Sequence, residues 1–130
     1  MTIFDALSAS LDIAADRGGD PVTSVYARLF AVHPAMEREF WRDTSGSVRG
    51  EMLARSFEVI LDLAGANGVI GGTWGAQFLA TELSNHHAYG IAPAVFGDFL
   101  PIIADVIQDA CGPEFTGEMA AAWAQTIGIA

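Results

Sequence analysis

Apolar residues recur along this chain at helical intervals and nowhere alternate as a half-buried strand requires. Ile3, Phe4, Leu7 and Leu11 mark a short amphipathic helix over about the first dozen residues, and Gly18-Gly19 ends it. Asp20-Pro21 restarts the chain, an N-cap acid followed by a proline in the first turn. Val22, Val25, Tyr26, Leu29 and Phe30 then form one stripe, with Arg28 on the other side. His33-Pro34 is the next boundary, because a residue before proline avoids helical geometry. Pro34 opens a short helix ending near Phe40-Trp41, and Asp43-Thr44-Ser45-Gly46-Ser47 is a loop by composition. From Val48 the helical pattern returns with Leu53, Phe57, Ile60, Leu61 and Ala64.

Residues 65–75 contain five glycines and predict a tightly turning or flexible connection. Trp74, Phe78, Leu79 and Leu83 carry a helix that ends at His86-His87 and stops at Tyr89-Gly90. Pro93 opens a strongly apolar helix with Phe96, Phe99, Leu100, Ile103, Val106 and Ile107, and Pro101 inside it is expected to kink it or split off its first turns. Cys111-Gly112-Pro113 stops that helix, and Thr116 caps the last one, whose buried stripe is Met119, Trp123, Thr126 and Ile127. The expectation is an all-α chain of about six to seven helices, forming one domain over residues 1–130.

Charge narrows the partners. There is no lysine, and the six arginines all lie between Arg17 and Arg55; residues 56–130 hold eight acidic side chains and no Arg or Lys. With a formal net charge of -10, the chain lacks the basic face that nucleic acid or an anionic membrane requires. Cys111 is the only cysteine, so no intrachain disulfide forms, and no CxxCH exists for covalent haem attachment. The N-terminal residues show no basic segment before an apolar one, so no signal peptide is expected, and a cytoplasmic protein follows.

The chemistry gathers at Leu83-Ser84-Asn85-His86-His87-Ala88-Tyr89-Gly90-Ile91. Neutral imidazole is the commonest metal ligand among side chains, and a histidine on the last turn of a helix can point into a gap between helices. The ordinary alternative is a solvated or hydrogen-bonded histidine.

Several motifs stand in one order: Tyr26-Ala27-Arg28-Leu29-Phe30 before Pro34, Phe40 six residues beyond it, His86-x-x-Tyr89-Gly90-Ile91 before Pro93, and Thr116-x-Glu118-Met119-x-x-x-Trp123. In this order the chain resembles a globin, in particular the bacterial single-domain globins and the haem domain of flavohaemoglobins. The resemblance covers nearly the whole chain and implies a three-on-three helical sandwich holding haem b. His86 matches the proximal iron ligand when Tyr89-Gly90-Ile91 is the anchor; counting from Leu83 selects His87 instead. His86 is taken as the ligand. Phe40 matches the phenylalanine that packs on the haem face, and Tyr26 the distal tyrosine whose hydroxyl donates to dioxygen. Arg49-Gly50-Glu51-Met52-Leu53 matches the family's Gln-x-Glu-Ala-Leu, which puts Arg49 at the second distal position and Leu53 over the haem; Val48 with Met52 is the alternative register. Tyr89, Ile91 and Phe96 complete the expected haem contacts. His33 is not assigned to the haem.

The implied function is reversible binding of dioxygen or a related diatomic gas. Nitric oxide dioxygenation is the alternative; it requires electrons from a separate reductase, because the chain has no room for a flavin or nicotinamide domain. A haem-free sensor or interaction module is the other. The haem propionates would find cations only at Arg42, Arg49, Arg55 or a histidine such as His87.

Overall fold

The computed structural model describes residues 1–130 and contains helices and no strand. The six α-helices are α1 (Ile3–Gly18), α2 (Val22–Val32), α3 (Ser47–Ala64), α4 (Gly75–Ala88), α5 (Pro93–Cys111) and α6 (Gly117–Ile129). Two 3-10 segments, Pro34–Phe40 and Gly112–Glu114, join α2 to α3 and α5 to α6. The core lies where α1 packs on α5 and α6, α2 on α5, and α3 on α1 and α6, while α4 rests between α3 and α5.

At α1, α2, α3 and α6 a nearby side chain satisfies orphan amides of the first turn. Thr2 accepts from the Asp5 amide at 3.0 Å while the Asp5 carboxylate accepts from the Thr2 amide at 3.2 Å, a reciprocal cap that carries α1 past the expected dozen residues to Gly18. Asp20 accepts from the Val22 amide at 3.0 Å and starts α2. At α3 the cap comes from outside the helix. Asp43 accepts from the amides of Val48 and Arg49, both at 3.0 Å. Thr116 accepts from the Met119 amide at 3.2 Å and starts α6.

Pro101 neither ends nor divides α5, which is one helix from Pro93 to Cys111. A proline ring crowds the carbonyl four residues earlier. Here that residue is Gly97, which has no side chain and open space where one would stand. Ser10 ties three helices together in the core. Its hydroxyl donates to the Leu7 carbonyl at 2.6 Å and accepts from the Trp123 indole at 2.9 Å, and its carbonyl accepts from the Cys111 thiol at 3.2 Å. No helix is long and apolar enough to cross a membrane.

Candidate functional site

A cleft of 590 Å³ is bounded by α2, the 3-10 segment Pro34–Phe40, α3, α4, α5 and the end of α6. That is the size of a cofactor or drug-sized ligand. Nineteen of its 25 lining residues are hydrophobic, and the lining includes no Arg or Lys; Glu82 is its only acid. Filling such a space with a flat apolar molecule removes more apolar surface from water than any polar ligand would.

α2 delivers Tyr26. The stripe Val25, Tyr26, Leu29 is buried, and Tyr26 is 2% exposed. Its ring sits among Phe40, Phe99 and Phe30, with centroids at 5.4, 5.6 and 6.1 Å. No protein group lies within hydrogen-bond reach of its hydroxyl, the one buried side-chain polar atom in the chain left in that condition. Burial raises the phenol's pKa well above its ordinary value; Arg49 opposes this and Asp43 adds to it. Tyr26 therefore stays a neutral donor on the cavity wall. Phe40 reaches the same cavity because Pro34 starts the 3-10 segment beside α2. His33, just before it, holds that start against α5 through Asp98 at 2.8 Å and is not among the lining residues.

α4 and α5 deliver the imidazole wall. His86 Nδ1 lies 2.7 Å from the Glu82 carbonyl, one helical turn back. A carbonyl only accepts, so Nδ1 carries the proton and Nε2 keeps the lone pair in the neutral ring. The Glu82 carboxylate stands farther from the same nitrogen, at 3.6 Å. Phe96 packs on the His86 ring at 5.1 Å, and the Ile91 amide donates to the His86 carbonyl at 2.9 Å, which turns the chain under the helix end. His86, Ile91 and Phe96 all line the cavity, whereas His87, the neighbouring candidate, is exposed and does not.

Five of the eight expected residues thus meet on one cavity: Tyr26, Phe40, His86, Ile91 and Phe96. Three stand elsewhere. Tyr89 is 81% exposed at the C-cap of α4, on the outer side of the turn. Leu53 is 2% exposed in the helical core; the residues of α3 that line the cavity are Met52, Ser56 and Val59, one position away from the Leu53 register. Val48, the alternative partner of Met52, is 51% exposed. Arg49 is committed to Asp43. Its Nε donates to the carboxylate and its guanidinium to the Asp43 carbonyl, both at 2.9 Å. Burial raises the pKa of that carboxyl, but the Arg49 and Val48 amides and then the guanidinium outweigh it and hold it below the ordinary range. The sequence reading missed Met52's neighbours Ser56 and Val59 and the C-terminal pair Ile127 and Ile129, which close the cavity from α6. A stripe read from Met52 at i+4 and i+7 would have found the first two.

The residues present suit a haem better than a bare metal ion. No group of three or more His, Cys, Asp or Glu side chains could hold an ion. A single imidazole with a free Nε2, in an apolar slot with an unpartnered donor, suits a metal whose other positions are filled by a macrocycle. A family model described as Globin matches residues 23–129, which span α2 to α6. No curated protein and no solved structure matches the chain.

Proposed function

The chain belongs to the globin family, and from that premise we propose that its cavity holds haem b on His86 and binds a diatomic gas beside Tyr26. One observation carries the reading: the same apolar cavity receives an imidazole whose Nδ1 is already engaged and a buried phenol hydroxyl with no partner. When bound, the haem would supply a redox-active iron able to take up a gas.

The protein's own residues do the rest. Glu82's carbonyl orients the His86 ring and fixes its tautomer, leaving Nε2 to face the cavity ligand. Phe40 and Phe96 support the flat apolar faces, and Met52 with Val59 excludes water. Tyr26 would donate a hydrogen bond to a ligand that carries partial negative charge, and its raised pKa keeps the proton on the phenol. Because the lining has no Arg or Lys, cations for the propionates would have to come from beyond it; Arg55, 5.8 Å over the ring of the lining residue Phe78 and paired with Glu58 at 3.4 Å, would be the nearest such group to the α4 wall.

Dioxygen binding is the activity these groups support, in a soluble, cytoplasmic protein of the bacterial single-domain type, with a separate reductase as the electron source if nitric oxide is turned over. The experiment is hemin uptake by His86→Gly and His87→Gly beside the parent. The expected result is loss of the iron–imidazole spectrum in His86→Gly, its recovery on adding imidazole, and a normal spectrum in His87→Gly. Loss in His87→Gly alone would move the ligand by one residue. Failure of the parent to take up hemin would leave the haem-free sensor or interaction module.

A further inference from the structure

Asp62 is enclosed more completely than any other acid in the chain, at 1% exposure, and it touches none of the cavity. It belongs to α3, yet every side-chain hydrogen bond it makes runs to the segment leading into α4. Oδ2 accepts from the amides of Gly75 at 2.7 Å, Trp74 at 3.1 Å and Thr73 at 3.1 Å. Oδ1 accepts from Asn67 Nδ2 at 2.7 Å and from the Thr73 amide and hydroxyl at 3.2 and 3.4 Å. Burial raises the carboxyl's pKa, but the Gly75 amide, Asn67 and the Trp74 and Thr73 amides outweigh it, holding it at about 2. The approach is possible because two residues lack side chains. A Cβ at Gly72 would stand 2.1 Å from Oδ2, and one at Gly75 would stand 3.0 Å from Oδ2 and 3.2 Å from the Val59 carbonyl.

α4 needs such an anchor. Gly75 is its only buried residue. Its inner face, Phe78, Leu79, Glu82 and His86, looks onto the cavity instead of a packed core. α4 packs on α3 and α5, but no side chain along it is buried, so the contacts at its two ends do most to set its position. The C-terminal end turns back through the Ile91 amide on the His86 carbonyl and meets α5 through Phe96 on the His86 ring. The N-terminal end is held by Asp62, whose negative charge also meets the positive end of the α4 dipole. The helix between them is a rigid rod of roughly 16 Å from Gly75 to His86.

We propose that Asp62 is a positioning residue for His86: it fixes the start of α4 and, through that helix, the place of the imidazole on the cavity wall. The role rests on His86 being the haem-holding residue proposed above. Every group that faces the carboxylate is a neutral donor, so its hold on α4 is a matter of hydrogen-bond number and direction.

The test compares the parent with Asp62→Asn and Asn67→Ala. An amide at position 62 turns N–H groups toward amides that can only donate, whereas Asn67→Ala removes one bond from an exposed side chain and leaves the carboxylate intact. The first readout is amide hydrogen exchange of the haem-free protein. The expected result is exchange at least tenfold faster throughout residues 76–88 in Asp62→Asn, a smaller change over the same residues in Asn67→Ala, and no change in α1, α5 or α6. The second readout is the iron–histidine vibrational band of the hemin-loaded, reduced protein, expected to shift or broaden in Asp62→Asn. Faster exchange confined to residues 65–75, with α4 protected as in the parent, would overturn the proposal. If Asp62→Asn does not fold, Asn67→Ala decides by the same criterion. If the parent takes up no hemin, the haem reading falls, while the exchange pattern still decides whether Asp62 anchors α4.

Discussion

Replacing Tyr26 by phenylalanine removes a single oxygen from the cavity wall and leaves every ring contact in place. That oxygen is buried and without a protein partner, on a residue 2% exposed. A buried polar group left unsatisfied costs roughly 1–3 kcal/mol, so the phenylalanine variant is expected to be more stable than the parent without ligand. For a chain of 130 residues, each kcal/mol moves Tm by about 3–5 °C, so thermal unfolding of the haem-free variant should shift upward by roughly 3–15 °C. Function moves the other way. A hydrogen bond to an acceptor with partial charge is worth about 1.5–3 kcal/mol, which is roughly a tenfold to hundredfold faster dioxygen off-rate from the hemin-loaded, reduced variant. Carbon monoxide, a poorer acceptor, should leave at nearly the parental rate. Differential scanning calorimetry and flash photolysis measure the two effects independently. A lower Tm in Tyr26→Phe would refute the reasoning, because it would mean that the hydroxyl already has a stabilising partner. An unchanged dioxygen off-rate would remove Tyr26 from the ligand site.

Further outcomes follow from the same contacts. Gly72 has a φ of 79°, and a Cβ there would fall 2.1 Å from Asp62, so Gly72→Ala should destabilise by about 2–3 kcal/mol in urea unfolding. A folded-state carboxyl at about 2, below its ordinary 3.8, contributes stability that is full above the unfolded value and is lost as pH falls from about 4 through 2. That contribution is about 2–3 kcal/mol, and acid titration of Asp62→Asn should lack this part of the loss. Arg49→Ala should lower Tm by a few degrees by freeing the Asp43 turn, with hemin retention as in the parent, since Arg49 is spent on Asp43. Faster hemin loss in that variant would restore Arg49 to the cofactor.

The starts at Asp20-Pro21, Pro34, Pro93 and Thr116 were legible because each signal lies within a few residues of the helix it opens. The same locality explains what escaped. Asp62 sits one turn from Phe57 and Glu58 on a helix and reads as an ordinary polar position; its donors lie five to thirteen residues ahead, across the glycines. The available signal was an acid three residues after Val59, on the same helix face as that buried side chain, ahead of a segment rich in glycine and small donors. Arg49 matched a motif position, but Asp43, brought back by the turn between them, takes its guanidinium. Leu53 and Met52 differ by one residue, about 100° around the helix, and a stripe of similar apolar side chains cannot fix rotation that finely. His86 and His87 pose the same question at a helix end, and the turn through Ile91 places His86 on the cavity and His87 in solvent.

The most direct test of a haem held in this cavity is an optical titration of the purified protein with hemin, followed by reduction and addition of carbon monoxide. The expected result is saturation at one hemin per chain and a sharp carbon monoxide Soret band. A hemin spectrum that stays that of free hemin, with no change on reduction and carbon monoxide, would contradict the assignment of the cavity to a haem.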